Sequence, residues 1–229
     1  MAVSCASNVD AKMDQGVGAS RTLYRGFMSV TFSILYVCTG NICRSPLAER
    51  YTAHRLEQMS AETAIEVEVG SVGVRALEGH PMDRLAEAEL VRVGGSGQGF
   101  AGRRLTASHV ESADLVLTMT RGQRAAALTE APGALRRTFT LLEAADLARL
   151  VDGDPDVASD PRSGAGPAGL VAAMAAFRSR ARLDDYDVVD PIGRPPEVHA
   201  AVADVIAAAV DDVIALLMSA YSGQTPRTR

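Results

Sequence analysis

The stretch from Phe32 to Arg50, FSILYVCTGNICRSPLAER, limits what this chain can become more than any other. Ile34, Leu35, Tyr36 and Val37 form an apolar run of the kind buried on both faces of a parallel sheet, and the run ends at Cys38. Thr39, Gly40 and Asn41 suit a tight turn that tolerates left-handed backbone, and Arg44, Ser45 and Pro46 open a helical pattern. This order of strand, loop and helix sets the loop on a helix N-terminus, where backbone N–H groups lack intrahelical partners. Curled there into a concave nest, the loop presents a ring of donors that a tetrahedral oxyanion fits. Arg44, six residues after Cys38, can lay a planar guanidinium fork against two oxygens of that anion, with the cysteine below its central atom. The same dipoles and cation favour an anionic sulfur at Cys38.

With 229 residues, 47% of them hydrophobic, the chain can bury one substantial core but hardly two. The reading is therefore one domain over residues 30–221, a disordered N-terminal extension over 1–29 and a C-terminal tail over 222–229. A net charge of −5, with acidic residues spread along the chain, argues against nucleic acid as a partner. No apolar run is long enough to span a membrane. The three cysteines, Cys5, Cys38 and Cys43, imply no disulfide framework, and a reducing cytoplasm is the expected location.

Along the chain, apolar residues at helical spacing mark a helix from Ser45 to about Met59, with Glu49, Arg50, Arg55 and Glu57 on its solvated side. A second strand is predicted over about Ile65 to Ser71, a helix over Met82 to Val93, and a short helix capped by Thr106 or Ser108. Then come a buried strand over Leu115 to Met119, a helix over Arg121 to Thr129 and a fourth strand near Arg137 to Leu141. This alternation predicts an α/β fold: a small doubly wound four-stranded parallel sheet with helices on both faces and the phosphate-binding loop after strand 1. From Val151 to Gly169 the Asp, Pro, Gly and Ser content reads as a loop, followed by a helical AGLVAAMAAFRSRARL, together an insertion of about 150–183. A closing helix places Val198, Val202, Val205, Ile206, Ala209, Val213, Ile214 and Leu217 on one face.

The segment VCTGNICRSPLAE resembles the signature of the low-molecular-weight protein tyrosine phosphatases almost residue for residue. The resemblance implies hydrolysis of a phosphomonoester through a phosphocysteine, with Cys38 as nucleophile and Arg44 and the loop residues Thr39, Gly40, Asn41, Ile42, Cys43 and Ser45 holding the phosphate. Such chemistry also needs a proton donor for the departing oxygen. Asp154, Asp160 and Asp190 each precede a proline; Asp190 in DYDVVDPIG matches the family's placement of its acid shortly before the last helix. The resemblance also implies that Ser45 donates to the thiolate, that Asn41 pins the left-handed bend and that Ser71 supports the loop asparagine. Cys43 resembles the loop cysteine that pairs transiently with the nucleophile under oxidation in some members, and it equally suits a small buried apolar position. Where many members carry a histidine ahead of an ARQL-like stretch, this chain has Phe100 before AGRRLT, so one loop-supporting hydrogen bond is absent or replaced. His54, His80, His109 and His199 show no metal-ligand spacing, and no metal or cofactor is expected.

The substrate expected from the resemblance is a phosphorylated protein, most simply phosphotyrosyl, with a tyrosine kinase as the partner whose products are reversed. The family's usual aromatic cleft walls are replaced here by Ile192 and Leu77. Ile42 occupies a loop position where members resembling arginine phosphatases carry threonine, which favours an O-phosphate over phosphoarginine. Arsenate reduction is a further alternative; the thioredoxin-coupled kind needs two more cysteines downstream, and none follows Cys43. A phosphopeptide-binding module without catalysis would not need Cys38, Arg44 and Asp190 together.

Overall fold

Side chains of β1 (Thr31–Cys38) alternate between two apolar layers, as the pleat of a strand requires. Phe32, Ile34, Tyr36 and Cys38 face one layer; Leu35 and Val37 face the other. The computed structural model describes residues 31–59, 66–152, 154, 166–181 and 185–222. The expected extension over 1–29 and most of the tail over 222–229 lie outside them, as do Asp160 and Ile65.

Four parallel strands, β1, β2 (Glu66–Gly73), β3 (Leu115–Thr118) and β4 (Thr138–Thr140), lie in the order β2-β1-β3-β4. The order reverses around β1, so the crevice beyond its carboxyl end is a topological switch point, the usual place for a ligand in an open α/β sheet. One layer packs α1 (Arg44–Met59), α2 (Arg84–Arg92) and three later helices against the sheet. The other packs α3 (Ala107–Ser112), α4 (Arg121–Glu130) and the 3₁₀ turn Pro132–Arg137.

Several features differ from the sequence reading. β2 runs two residues further than predicted because Val72 and Gly73 still pair with Val37 and Cys38, which brings its end alongside the loop. A helix absent from the sequence reading, α5 (Leu141–Asp152), follows β4 without a break. Its buried Leu141, Ala144, Ala145, Ala148 and Val151 keep helical spacing and join the main layer. Part of the segment read as an insertion is core as well: α6 (Pro167–Phe177) buries Leu170, Val171 and Met174 there. In α7 (Pro196–Ser222) the buried face takes in Ala203, Val210 and Leu216, whereas Val205, expected inside, is 44% exposed. Among the described residues no helix is long and apolar enough to cross a membrane.

Buried beneath the sheet, the hydroxyls of Tyr36 and Thr52 share a hydrogen bond of 2.8 Å that ties β1 to α1. Burial pushes the Tyr36 phenol well above its ordinary value of 10.0. The folded chain therefore holds this phenol neutral where the unfolded chain ionises it, and stability falls as pH rises above 10.0. Tyr36→Phe should cost about 1–3 kcal/mol at neutral pH by leaving the Thr52 hydroxyl unpaired. Tyr36→Phe/Thr52→Val should regain most of that loss, and both variants should lose less than wild type on going above pH 10.0, as read from urea midpoints.

Candidate active site

The loop between β1 and α1 is held from outside by its carbonyls. Val74, Arg75, Leu77 and Asp83 donate backbone N–H groups to the carbonyls of Cys38, Thr39, Gly40 and Ile42 at 2.9, 2.9, 3.0 and 2.8 Å. In a trans peptide the N–H points opposite to the C=O, so fixing these four oxygens outward turns the N–H groups of Thr39, Gly40, Asn41 and Cys43 inward. The backbone must come close to allow this. A Cβ on Gly73 would lie 2.7 Å from the Thr39 carbonyl oxygen, and one on Gly102 would lie 2.5 Å from that of Leu77. Glycine at these two positions lets the end of β2 and the 100–104 segment close on the loop.

Asn41 is the pivot of the loop. Its φ of 53° is left-handed, a region asparagine tolerates better than most residues. Fully buried, it uses all its amide atoms: Nδ2 donates to Ser45 Oγ at 2.9 Å and to Ser71 Oγ at 2.8 Å, and Oδ1 accepts the Arg103 N–H at 2.7 Å. Ser45 in turn donates its hydroxyl to Cys38 Sγ at 2.9 Å, and the Asn41 N–H donates to the same sulfur at 3.2 Å. Two donors thus converge on the sulfur.

Arg44, in the first turn of α1, is 4% exposed. One nitrogen donates to the Val188 carbonyl at 3.0 Å, and another pairs with Asp190 Oδ2 at 2.5 Å. The chain around Asp190 is anchored to the sheet: the Val188 N–H donates to the Met119 carbonyl, the Arg121 N–H to Asp187 Oδ1, and the Tyr186 hydroxyl to Asp146 of α5. Asp190 itself stays half exposed and accepts the Ile192 N–H at 3.3 Å. Of the other Asp-Pro candidates, Asp154 is paired with Arg180 at 3.0 Å instead. Leu77 and Ile192 are both about half exposed, Leu77 bonded to the loop at Gly40 and Ile192 just beyond Asp190.

The structure thus brings Cys38, Asn41, Arg44, Ser45, Ser71 and Asp190 into one cluster, and Thr39, Gly40, Ile42 and Cys43 complete the loop. Thr39 accepts a hydrogen bond from the buried Gln123 amide at 3.0 Å, a contact from α4 that local sequence gives no sign of. Glu49, expected on the solvated side of α1, turns inward: its Oε2 takes the Ser71 hydroxyl at 2.5 Å. The end of β2 and the 100–104 segment cover that face of the helix, so burial raises the Glu49 carboxyl above its ordinary range while the Ser71 hydrogen bond pulls it back. Where the family histidine was missed, the Arg103 backbone N–H supplies the loop asparagine; Phe100 is buried, with the Arg50 guanidinium 5.6 Å from its ring centre.

A family model described as low molecular weight phosphotyrosine protein phosphatase matches residues 33–158. The low molecular weight protein-tyrosine-phosphatase Etp of Escherichia coli K12 is 46% identical over 87 residues, which cover 38% of this chain and 53% of Etp. The chain thus spans about half the length of that relative. A protein-arginine-phosphatase of Geobacillus stearothermophilus is 30% identical over 180 residues, covering 79% of this chain and 92% of the relative. The solved YwlE arginine phosphatase from Geobacillus stearothermophilus superposes with a TM-score of 0.60 at 27% identity, over 86% of this chain and 99% of that one.

Because the cradle depends on Asn41 and on close backbone approach at Gly73, Asn41→Ala and Gly73→Ala should each weaken binding of inorganic phosphate by about tenfold or more, roughly 1.4 kcal/mol. Titration calorimetry against wild type reads this directly. Unchanged affinity in both variants would mean that the loop does not need its outer supports.

Proposed function

The chain belongs to the low molecular weight phosphotyrosine protein phosphatase family, and on that premise we propose that it hydrolyses phosphomonoesters on proteins, phosphotyrosine first among them. The observation that carries this reading is the convergence of two donors on Cys38 Sγ beside the Arg44–Asp190 pair. Cys38 attacks phosphorus in line with the leaving oxygen, forming a phosphocysteine. The inward loop N–H groups and the Arg44 fork hold the three equatorial oxygens, where charge accumulates.

Asp190 supplies the proton. In the free protein its carboxylate sits on the Arg44 guanidinium, and an arriving phosphoryl group competes for the same cation. Displacing Asp190 sets it at the mouth of the pocket, where its protonated form gives a proton to the leaving oxygen. In the second step it takes a proton from the water that cleaves the phosphocysteine, returning free thiolate and inorganic phosphate. Ser45 and Asn41 position Cys38, while Ser71 and Glu49 hold Asn41 from behind.

Leu77 and Ile192 give the cleft an aliphatic rim that packs against an aryl ring without stacking on it. A tyrosine kinase is the partner whose products such an enzyme reverses, and a reducing cytoplasm suits the free Cys38 and Cys43. The second reading is phosphoarginine hydrolysis, favoured by the breadth of the match to the protein-arginine-phosphatase. Against it, Ile42 packs its side chain on the core and offers no hydroxyl to a guanidino group.

Wild-type protein should hydrolyse an aryl phosphate in the presence of a chelator, and Cys38→Ser should not; turnover surviving in that variant would falsify the cysteine route. Asp190→Ala should lower kcat by about 10²–10⁴ for esters with poor leaving groups and far less for those with good ones. Equal slowing across the series would assign the proton to another group. Comparison of kcat/KM on phosphotyrosyl and phosphoarginyl peptides separates the two substrates, and a preference for phosphoarginine would establish the second reading.

A further inference from the structure

Beside the loop, three side chains from separate elements meet. Cys43 comes from the loop itself, Asp83 is the N-cap of α2, and His199 lies in the first turn of α7. One potential ligand atom from each lies within 4.8 Å of the other two. We propose that Cys43, Asp83 and His199 form a binding site for a single zinc-class divalent cation, three ligands from the protein and one from water.

Two observations point to a ligand and not to chance crowding. First, His199 is 4% exposed, yet among the described residues its Nδ1 has no hydrogen-bond partner. Its nearest carboxylate oxygen, Asp83 Oδ1, is 3.9 Å away, too far for a hydrogen bond. Buried imidazole nitrogens are ordinarily paired, and one left bare beside a thiol and a carboxylate has a lone pair aimed at the space between them. Second, the donor set is mixed in the way that zinc prefers: one sulfur, one imidazole nitrogen and one carboxylate oxygen. Bond lengths of about 2.3 Å to sulfur and about 2.0–2.2 Å to nitrogen and oxygen place tetrahedral ligand atoms roughly 3.3–3.7 Å apart. The three atoms lie within 4.8 Å of one another and the Asp83–His199 pair at 3.9 Å, so shifts of about one ångström at most separate the cluster from coordination distance.

The surroundings pre-position the donors. The Leu85 and Ala86 N–H groups hold Asp83 Oδ1 at 3.0 and 3.2 Å, and the Asp83 N–H is bonded to the Ile42 carbonyl, which ties this ligand to the loop that carries Cys43. Water and metal reach the cluster from the Asp83 side, since Cys43 and His199 are buried. Binding replaces the Cys43 thiol proton, released to solvent, with a metal–sulfur bond. His199 coordinates through the Nδ1 lone pair and keeps its proton on Nε2. Burial, with the Asp83 carboxylate next, pushes the Cys43 thiol above its ordinary value, so without a cation this sulfur stays protonated.

The site is testable apart from hydrolysis. In full-length Cys5→Ser/Cys38→Ser protein, Cys43 is the sole thiol of the three in the chain. Cobalt(II) added to it should produce a sulfur-to-cobalt charge-transfer band in the near ultraviolet, saturating at one equivalent and abolished by zinc. Adding Cys43→Ser should remove the band. His199→Gln and Asp83→Asn should each weaken cobalt binding by about tenfold or more, at least the loss expected when an outer-shell partner is removed. Asp83→Asn keeps the α2 cap and carries the comparison if His199→Gln fails to fold. Zinc should raise the melting temperature of the Cys5→Ser/Cys38→Ser protein but not that of its Asp83→Asn derivative. Absence of the charge-transfer band, or cobalt affinity unchanged by Asp83→Asn and by His199→Gln, overturns the proposal.

Discussion

Outward anchoring of four carbonyls governs this site. A peptide plane cannot point both its dipolar ends the same way, so hydrogen bonds from residues 74–83 to the loop oxygens leave the N–H groups facing the sulfur. The donors are therefore fixed by the scaffold itself, and on the proposed function they need no reorganisation in the transition state. Asn41 joins the inner and outer sides of this arrangement. One face of its amide reaches the serine that bonds the sulfur; the other is fixed by Arg103 and Ser71.

The cleft also stocks its own counter-ion. Arg44 is buried, and an unpaired guanidinium there would be costly; Asp190 satisfies it from the solvent side. That pairing holds a half-exposed carboxylate beside the pocket, and on the proposed function an incoming phosphate exchanges places with it. Hydrogen bonds through Val188 and Asp187 anchor the chain that carries this carboxylate to Met119, just after β3, and to Arg121 of α4.

Much of this was legible from local sequence. β1, the turn and α1 are contiguous, and their apolar run, glycine, asparagine and serine-proline carry the physics of that unit within nineteen residues, Phe32 to Arg50. What escaped was set by chain brought in from far away. Glu49 sits among polar positions on α1 and reads as solvated; only the end of β2 and the 100–104 segment make it an inward acid. Gln123 and Arg103 act through contacts 84 and 62 residues distant in sequence. α5 was missed for another reason: β4 is only three residues long and the helix starts at once, so no turn residues separate the two patterns. His199 and Asp83 carry no spacing signal because helices far apart in the chain bring them together.

Completion of the pocket waits on a hydrogen bond that spans 144 residues, from Arg44 to the Val188 carbonyl. A chain still emerging from the ribosome holds its cysteine and arginine early, but the strands and segments that shape a cradle around them are made later. A partly made chain therefore carries the Cys38 sulfur and the Arg44 guanidinium before the Val188 carbonyl and Asp190 that hold that guanidinium exist.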